Sequence, residues 1–247
     1  MRIALFSDIH GNREALEACL AHAARQRVDR IGFLGDLVGY GADPNGVIDI
    51  VAREVARGGF ALLGNHDQAA ITGATEGMNE YARAALDWTH RSLLPASRDF
   101  LKSLPMSIIA DDRLYVHSEA SAPAAWRYIT DVASAERSLV STNARVTICG
   151  HVHRPQLYHM SPKKPPVFFL PQTATPIPLM SSRKWLAVLG AVGQPRDQNP
   201  AAAYAILDTD LNEITYMRAP YDIEKAASRI HAAGLPQMLA ARLFIGR

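Results

Sequence analysis

Cysteine is scarce: Cys19 and Cys149 are the only two, and no CxxC spacing occurs. A disulfide scaffold is excluded, and the usage matches a reducing compartment. Charge of one sign is missing as well. Lys+Arg total 26 against 24 Asp+Glu, a net charge of +2, and no basic run exceeds two residues. No nucleic-acid polymer is expected as a partner. Long hydrophobic runs are absent: the longest, residues 185–193, spans nine positions and is far short of a membrane span. The opening MRIALFSD reaches Asp8 after a few apolar residues, too few for a signal-peptide core. A cytoplasmic protein with no membrane partner is expected. Internal repeats and linkers are lacking too. What is present, 48% hydrophobic and 20% charged residues over 247 positions, is ordinary globular composition. It excludes disorder, a collagen-like fibre and a coiled coil, and we read a single domain over residues 1–247.

Short apolar runs alternate with amphipathic stretches through the first two-thirds, the pattern of an α/β fold. Residues 3–6 read as a buried strand. Residues 12–26 read as a helix with its apolar stripe at Ala15, Leu16, Cys19, Leu20 and Ala23. A second strand is expected at 31–34. Asp43-Pro44 supplies an N-cap and a first-turn proline for a helix that runs to Arg57 and stops at Gly58-Gly59. A strand at 60–63, a helix at 78–94 and a shorter helix after Pro95 follow. Beyond Met106, strands are expected at 106–110, 113–116, 146–149, 156–159, 167–170, 186–189, 203–207 and 214–217. A helix at 131–142 interrupts them, and helices at 222–233 and 236–243 close the chain. The stretches 161–166 and 171–184 read as loops. Two packed sheets flanked by helices account for this pattern.

Polar residues gather where strands end. Five expected strands run into metal-type ligands: LFS-Asp8-Ile-His10, FLG-Asp36, LLG-Asn65-His66-Asp67, YV-His117 and ICG-His151-Val-His153. Sites of open α/β sheets lie outside the carboxyl ends of parallel strands, so these groups should meet at one edge. Asp8/His10 and His151/His153 are i, i+2 pairs that point the same way on an extended backbone. Glycine before Asp36, Asn65 and His151 should let the chain turn sharply and an ion approach closely. The donors are seven, Asp8, His10, Asp36, Asn65, His117, His151 and His153, with His66 left over. Nitrogen and oxygen ligands without thiolate suit Mn, Fe or Zn, with Ni and Mg as further candidates. Seven donors exceed what one transition ion takes and suit two ions sharing a carboxylate. Two divalent ions, two carboxylates and a bridging hydroxide nucleophile leave a charge of about +1, a trap for an anionic phosphate ester.

The ordered motifs DIHGN, GDLVGYG, GNHD, VHS and GHVH resemble the calcineurin-like metallophosphoesterase superfamily, and VGQPRD at 192–197 resembles a bacterial branch of its small members. That resemblance implies an α/β/β/α sandwich of two mixed sheets and a dinuclear metal-dependent phosphoesterase. Asp8, His10 and His153 would hold one ion and Asn65, His117 and His151 the other, with Asp36 bridging. His66 would protonate the leaving oxygen or bind the phosphate, and Asp67 would orient nearby backbone or His66.

Departures from the family pattern bear on substrate. Gly39-Tyr40 stands where protein Ser/Thr phosphatases and symmetrical diadenosine-tetraphosphate hydrolases of the superfamily carry Asp-Arg, so the planar Arg phosphate clamp is missing there. Glu119 after VHS and Ala191 before VGQPRD also depart. Arg196 and Tyr40 are the candidate substrate contacts, weighed against a structural ion pair for Arg196. His22, His90, His159 and His231 read as structural. Cys149 reads as a small buried residue. Lys163-Lys164 and Arg183-Lys184 either edge a lid over the site or form a solvated face. The expected partner is a small phosphoester or nucleotide. A Ser/Thr-phosphatase-like or diadenosine-polyphosphate hydrolase activity is the alternative, and a non-catalytic scaffold is disfavoured because every ligand is kept.

Overall fold

The computed structural model describes residues 1–247. β1 (Arg2–Phe6) leads through a tight turn to α1 (Arg13–Arg25), whose first turn is capped by the Asn12 side chain accepting from Ala15 N. β2 (Arg30–Phe33) leads to α2 (Pro44–Ala56), started by the Asp43 cap and Pro44 as the sequence predicts. β3 (Phe60–Ala61) runs into α3 (Asn65–Thr72), followed by α4 (Glu80–Ser92) and α5 (Pro95–Lys102). β4 (Ser107–Ala110) and β5 (Arg113–Val116) pair as a hairpin ahead of α6 (Val132–Val140) and β6 (Val146–Cys149). β7 (Gln156–Met160), β8 (Val167–Phe169), β9 (Ile177–Pro178) and β10 (Lys184–Val188) come next. β11 (Ala202–Asp208) and β12 (Glu213–Ala219) form a long antiparallel pair, and α7 (Ile223–Ala232) and α8 (Gln237–Ile245) close the chain.

The strands make two six-stranded mixed sheets, ordered β3-β2-β1-β11-β12-β9 and β4-β5-β6-β10-β7-β8. Side chains alternate across each strand, and this assigns the layers. Ile3 and Leu5 enter the core between the sheets with Ile148, Trp185 and Leu207. Ala4 and Phe6 point the other way, onto Leu16 of α1 and Val47 of α2. On the far side α6 lays Ala135 and Leu139 against Val116, Tyr158 and Val188. The result is the four-layer α/β/β/α sandwich. Covering both faces explains why β1 reads as an unbroken apolar run from Ile3 to Phe6. No helix is long and apolar enough to cross a membrane.

Three elements differ from the sequence expectation. The polar segment Asn65–Thr72 is helical although it lacks an apolar stripe. Its N-terminus is set by Asp67, whose Oδ2 accepts from Gly64 N at 2.9 Å, and its end by Gly73 at φ 76°. β3 is only two residues long, Leu63 N donating to Pro105 O instead of to β2. β9 lies inside the proline-rich stretch expected to be loop, at a sheet edge where a proline costs no ladder bond. Strands β1, β2 and β3 run parallel, as do β5, β6 and β10, so their carboxyl ends open toward the same region.

Candidate metal centre

Asp8, Asp36, Asn65, His117 and His151 follow β1, β2, β3, β5 and β6, as the sequence suggests. The backbone there is not extended, however. Asp8, His10, Asp36, His151 and His153 all have φ between 53° and 69°. This left-handed region is uncommon outside glycine, and the i, i+2 alternation argument therefore fails at both pairs. The side chains converge because the loops curl over one another. Asp8 N donates to Gly35 O at 3.1 Å, His10 N to Asp36 O at 2.9 Å and Gly11 N to Leu37 O at 2.8 Å. These bonds tie Asp8 and His10 to the loop that carries Asp36, and His151 N donates to Asp8 Oδ2 at 3.0 Å, so the strained residues share one edge. The glycine expectation also needs correcting. Gly35 is at φ 91° and does turn the chain, whereas Gly150 serves close approach, since a Cβ there would lie 1.8 Å from Ser7 Oγ.

Two groups of potential ligand atoms result, each within 4.8 Å of one another: Asp8, His10, Asp36 and His153, and Asp36, His117 and His151. Asp36 belongs to both. His117 Nε2 lies 3.4 Å and His10 Nε2 3.7 Å from Asp36 Oδ2, and His153 Nε2 lies 3.4 Å from Asp8 Oδ1. Asn65 Oδ1 is 3.2 Å from His117 Nε2 and so joins the second group. The seven donors are thus brought together.

Backbone carbonyls set the tautomers, because a carbonyl can only accept. His10 Nδ1 donates to Val38 O at 3.0 Å and His153 Nδ1 to Gln194 O at 2.7 Å. Their Nε2 lone pairs then face each other at 3.1 Å. Two lone pairs so close repel unless a cation lies between them, so this donor set fits a divalent ion. His151 is turned the other way. Its Nε2 donates to Trp126 O at 2.9 Å, leaving Nδ1 as the ligand nitrogen.

Burial and neighbours divide the charges. Burial pushes His10 and His153 well down, with Arg196 adding to both. Burial and His117 take His151 down to about 3. Burial alone would lower His117 too, but the carboxylates of Asp36 and Asp8 outweigh it and lift it to about 9. Burial raises Asp8 to about 6. For Asp36, burial pushes up, but His117, His66 and His10 outweigh it and keep the carboxyl well below its usual range.

His66 belongs to neither group. It is buried, its Nδ1 has no partner, and its ring sits 4.8 Å from His10 and 4.6 Å from Tyr40. Asp67 orients backbone rather than His66: Oδ1 accepts from Val38 N at 3.1 Å and Oδ2 from Gly64 N, tying two loops together. Arg196 lies over Tyr40, its guanidinium 5.8 Å from the ring centroid and Nη2 donating to the hydroxyl at 3.4 Å. Its buried Nε has no partner. The ion pair expected in VGQPRD is made instead by Asp197, with Arg218.

Other residues fall outside. Glu119 is buried and accepts from Ser121 N, Ser121 Oγ and Arg137 Nε, fixing the loop after His117. His22 bonds the Tyr204 hydroxyl at 2.7 Å, and His90 the carbonyl of Ala70 at 2.8 Å. Cys149 is fully buried, and burial pushes its thiol up. The two basic pairs do not cover the site. Trp185 pairs with Val146, so Lys184 lies at the entry end of β6, opposite His151, and the pairs line a separate groove with Glu136 and Arg145. Sequence reasoning missed Gln68, Trp126, Tyr128 and Gln194. The nearest signal was an aromatic pair, Trp126 and Tyr128, shortly after VHS.

Known proteins place this arrangement. The sequence profile of the calcineurin-like phosphoesterase superfamily domain matches residues 1–212. An uncharacterized protein of Methanocaldococcus jannaschii is 32% identical over 250 residues, covering 99% of this chain and 98% of the relative. The crystal structure of a metallophosphoesterase from Sphaerobacter thermophilus matches with a TM-score of 0.88 at 34% identity, over 100% of this chain and 99% of that one. A hypothetical protein from Pyrococcus horikoshii shares the fold, with a TM-score of 0.81 at 17% identity over 100% and 98% of the two chains. The chain belongs to the calcineurin-like phosphoesterase superfamily, hydrolases of phosphoric esters.

Proposed function

We propose that residues 1–247 act as one domain that hydrolyses small phosphoesters, nucleotides among them, with two divalent ions as cofactors. The observation that carries this reading is Asp36, common to both ligand groups. Asp8, His10 Nε2 and His153 Nε2 would hold one ion; Asn65, His117 Nε2 and His151 Nδ1 would hold the other; Asp36 would touch both. Such a pair of ions lowers the pKa of a coordinated water toward about 7 and offsets charge on a phosphoryl group. Mn, Fe or Zn suits these donors better than Mg, which prefers oxygen ligands.

The chain's own residues divide the remaining work. Asp36 accepts from His66 N at 2.8 Å, which places His66 beside the shared carboxylate. His66 protonates the departing oxygen through Nε2, a task suited to a ring held between His10 and Tyr40 with its Nδ1 edge against Gly39. Arg196 contacts the phosphate through Nη1, which makes no hydrogen bond, while the Tyr40 hydroxyl and Gln194 Oε1 accept from Nη2 and hold the guanidinium in place. This gives weight to the second reading, a Ser/Thr-phosphatase-like or diadenosine-polyphosphate hydrolase activity. The guanidinium missing from position 40 arrives beside Tyr40 from position 196.

The test strips purified protein with EDTA and reloads it with Mn²⁺ or Mg²⁺. Bis-p-nitrophenyl phosphate, p-nitrophenyl phosphate, cyclic nucleotides and a phosphopeptide are then assayed. Mn²⁺ should restore hydrolysis better than Mg²⁺, with up to two ions per chain by elemental analysis. Full activity in excess EDTA, with no stoichiometric metal, would overturn the reading.

A further inference from the structure

We propose that the cavity beside Asn65 and His151 is a subsite for a planar aromatic ring in the organic part of the ester. The proposal rests on the phosphoesterase reading and names what lies beyond the phosphate. The cavity has a volume of about 550 Å³ and is walled by Gln68, Met78, Trp126 and Tyr128 together with Asn65 and His151. That volume is within the range of small-molecule pockets, roughly 300–1,000 Å³. Two of its walls belong to the metal centre, so a ring held there is joined to a phosphate at Asp36 by a short linker.

The aromatic walls are positioned rather than merely exposed. Tyr128 stacks on His151 with centroids 4.0 Å apart and planes 17° from parallel, yet is 50% exposed. One face of the phenol therefore covers a ligand and the other remains for a guest. Trp126 meets His117 edge-on at 5.8 Å and 69°. Its Nε1 donates to Gln68 Oε1 at 2.9 Å, which leaves the Gln68 amide N–H groups to bond a ring acceptor. Trp126 also adopts φ 51°, a left-handed conformation that is an outlier for so bulky a residue. Strain of this kind gathers at functional sites. The loop is braced at both ends: Glu119 N donates to Arg127 O at 3.2 Å, and Trp126 O receives His151 Nε2. A preformed aromatic wall loses little freedom on binding, and stacking tolerates any planar ring.

The ring can be a nucleobase or an aryl group, and paired probes separate them. With Mn²⁺-loaded protein, kcat/KM for AMP is compared with that for ribose 5-phosphate, which shares the leaving alkoxide and lacks the base. Inhibition by benzylphosphonate is compared with inhibition by methylphosphonate. Stacking is expected to favour the aromatic member of at least one pair by roughly 5- to 150-fold, chiefly in KM or KI. Tyr128→Leu and Trp126→Leu should each cut that preference several-fold. Quenching of Trp126 fluorescence by AMP, lost in Trp126→Leu, reads binding without turnover. Preference for AMP alone assigns a nucleobase, and preference for benzylphosphonate alone an aryl group. Equal treatment of both pairs, or a preference that survives both substitutions, overturns the subsite. Quenching by AMP with no Mn²⁺-dependent hydrolysis of any ester would instead leave the subsite standing and overturn the phosphoesterase reading.

Discussion

The two halves of the metal centre use similar donors behind different walls. Around His10 and His153 the wall is Tyr40, Gln194 and Arg196, and the cavity touching His10 measures only about 10 Å³. Around Asn65 and His151 the wall is Trp126 and Tyr128, and the adjoining cavity is about 550 Å³. Protonation differs as well. His10 and His153 are held neutral by burial and by Arg196, whereas the neighbouring carboxylates lift His117 to about 9. On the proposed reading the closed half acts on the phosphate and the open half admits the rest of the ester.

Asp36 is where the two halves can be uncoupled, and the largest effect is expected there. Asp36→Asn keeps an oxygen to accept from His66 N but removes the shared charge. Turnover should be abolished and at least one ion lost, as read by assay and elemental analysis. Near wild-type activity with both ions bound would dissolve the division into halves. Next in size is His66 in the closed half. His66→Asn should lower hydrolysis of alkyl phosphates by roughly 10²–10⁴-fold, the usual range for a general acid. Nitrophenyl esters should suffer far less, because nitrophenolate leaves as an anion, and metal content should not change. Equal losses on both ester types would assign His66 to phosphate binding.

The smallest effect concerns protons in the open half. His117 is lifted to about 9 in the metal-free protein, so it is protonated at pH 7.5 and must release that proton for an ion to bind. His151, down at about 3, is already neutral there, and Asp8, up at about 6, is already ionised. Calorimetry in buffers of different ionisation enthalpy should show more than one proton released per chain at pH 7.5, one from His117 and most of another from the coordinated water, and a His117→Asn variant should lose the first of these. The His117 share of the release should fade as pH rises through 9, and ion affinity should fall as pH drops below it. A release at pH 7.5 that is the same in the wild type and in His117→Asn would remove the protonation contrast between the halves.

Much of the frame is legible along the chain. The stripe Ala15–Leu16–Cys19–Leu20–Ala23 and the Asp43-Pro44 start report α1 and α2 because periodicity and capping are local properties. Helix α3 escapes that logic. It is short and polar, and its N-terminus is fixed by Asp67, whose other oxygen is engaged by Val38 from a different loop. The left-handed residues escape it too. Nothing in DIH or HVH marks φ near 60°, because the partners are distant in the chain: Asp8 N and His10 N donate to Gly35 O and Asp36 O in the loop after β2, and His151 N donates to the Asp8 carboxylate.

The amino-acid sequence by itself determined which chemical groups stand at the strand ends: Asp8, Asp36, Asn65 and the imidazoles of His10, His117, His151 and His153. Residue type alone sets their donor chemistry, and strand polarity sends them to one edge. Which nitrogen of each of these four rings faces inward depends on tertiary contacts, with Val38 O, Gln194 O, Trp126 O and Leu34 O. So does the pairing of Arg196 with Tyr40, 156 residues apart in the chain, and the removal of the Lys163-Lys164 and Arg183-Lys184 pairs to the opposite end of β6. These are contacts between segments distant in sequence, and their directions depend on how two sheets pack, which no local pattern of residues encodes.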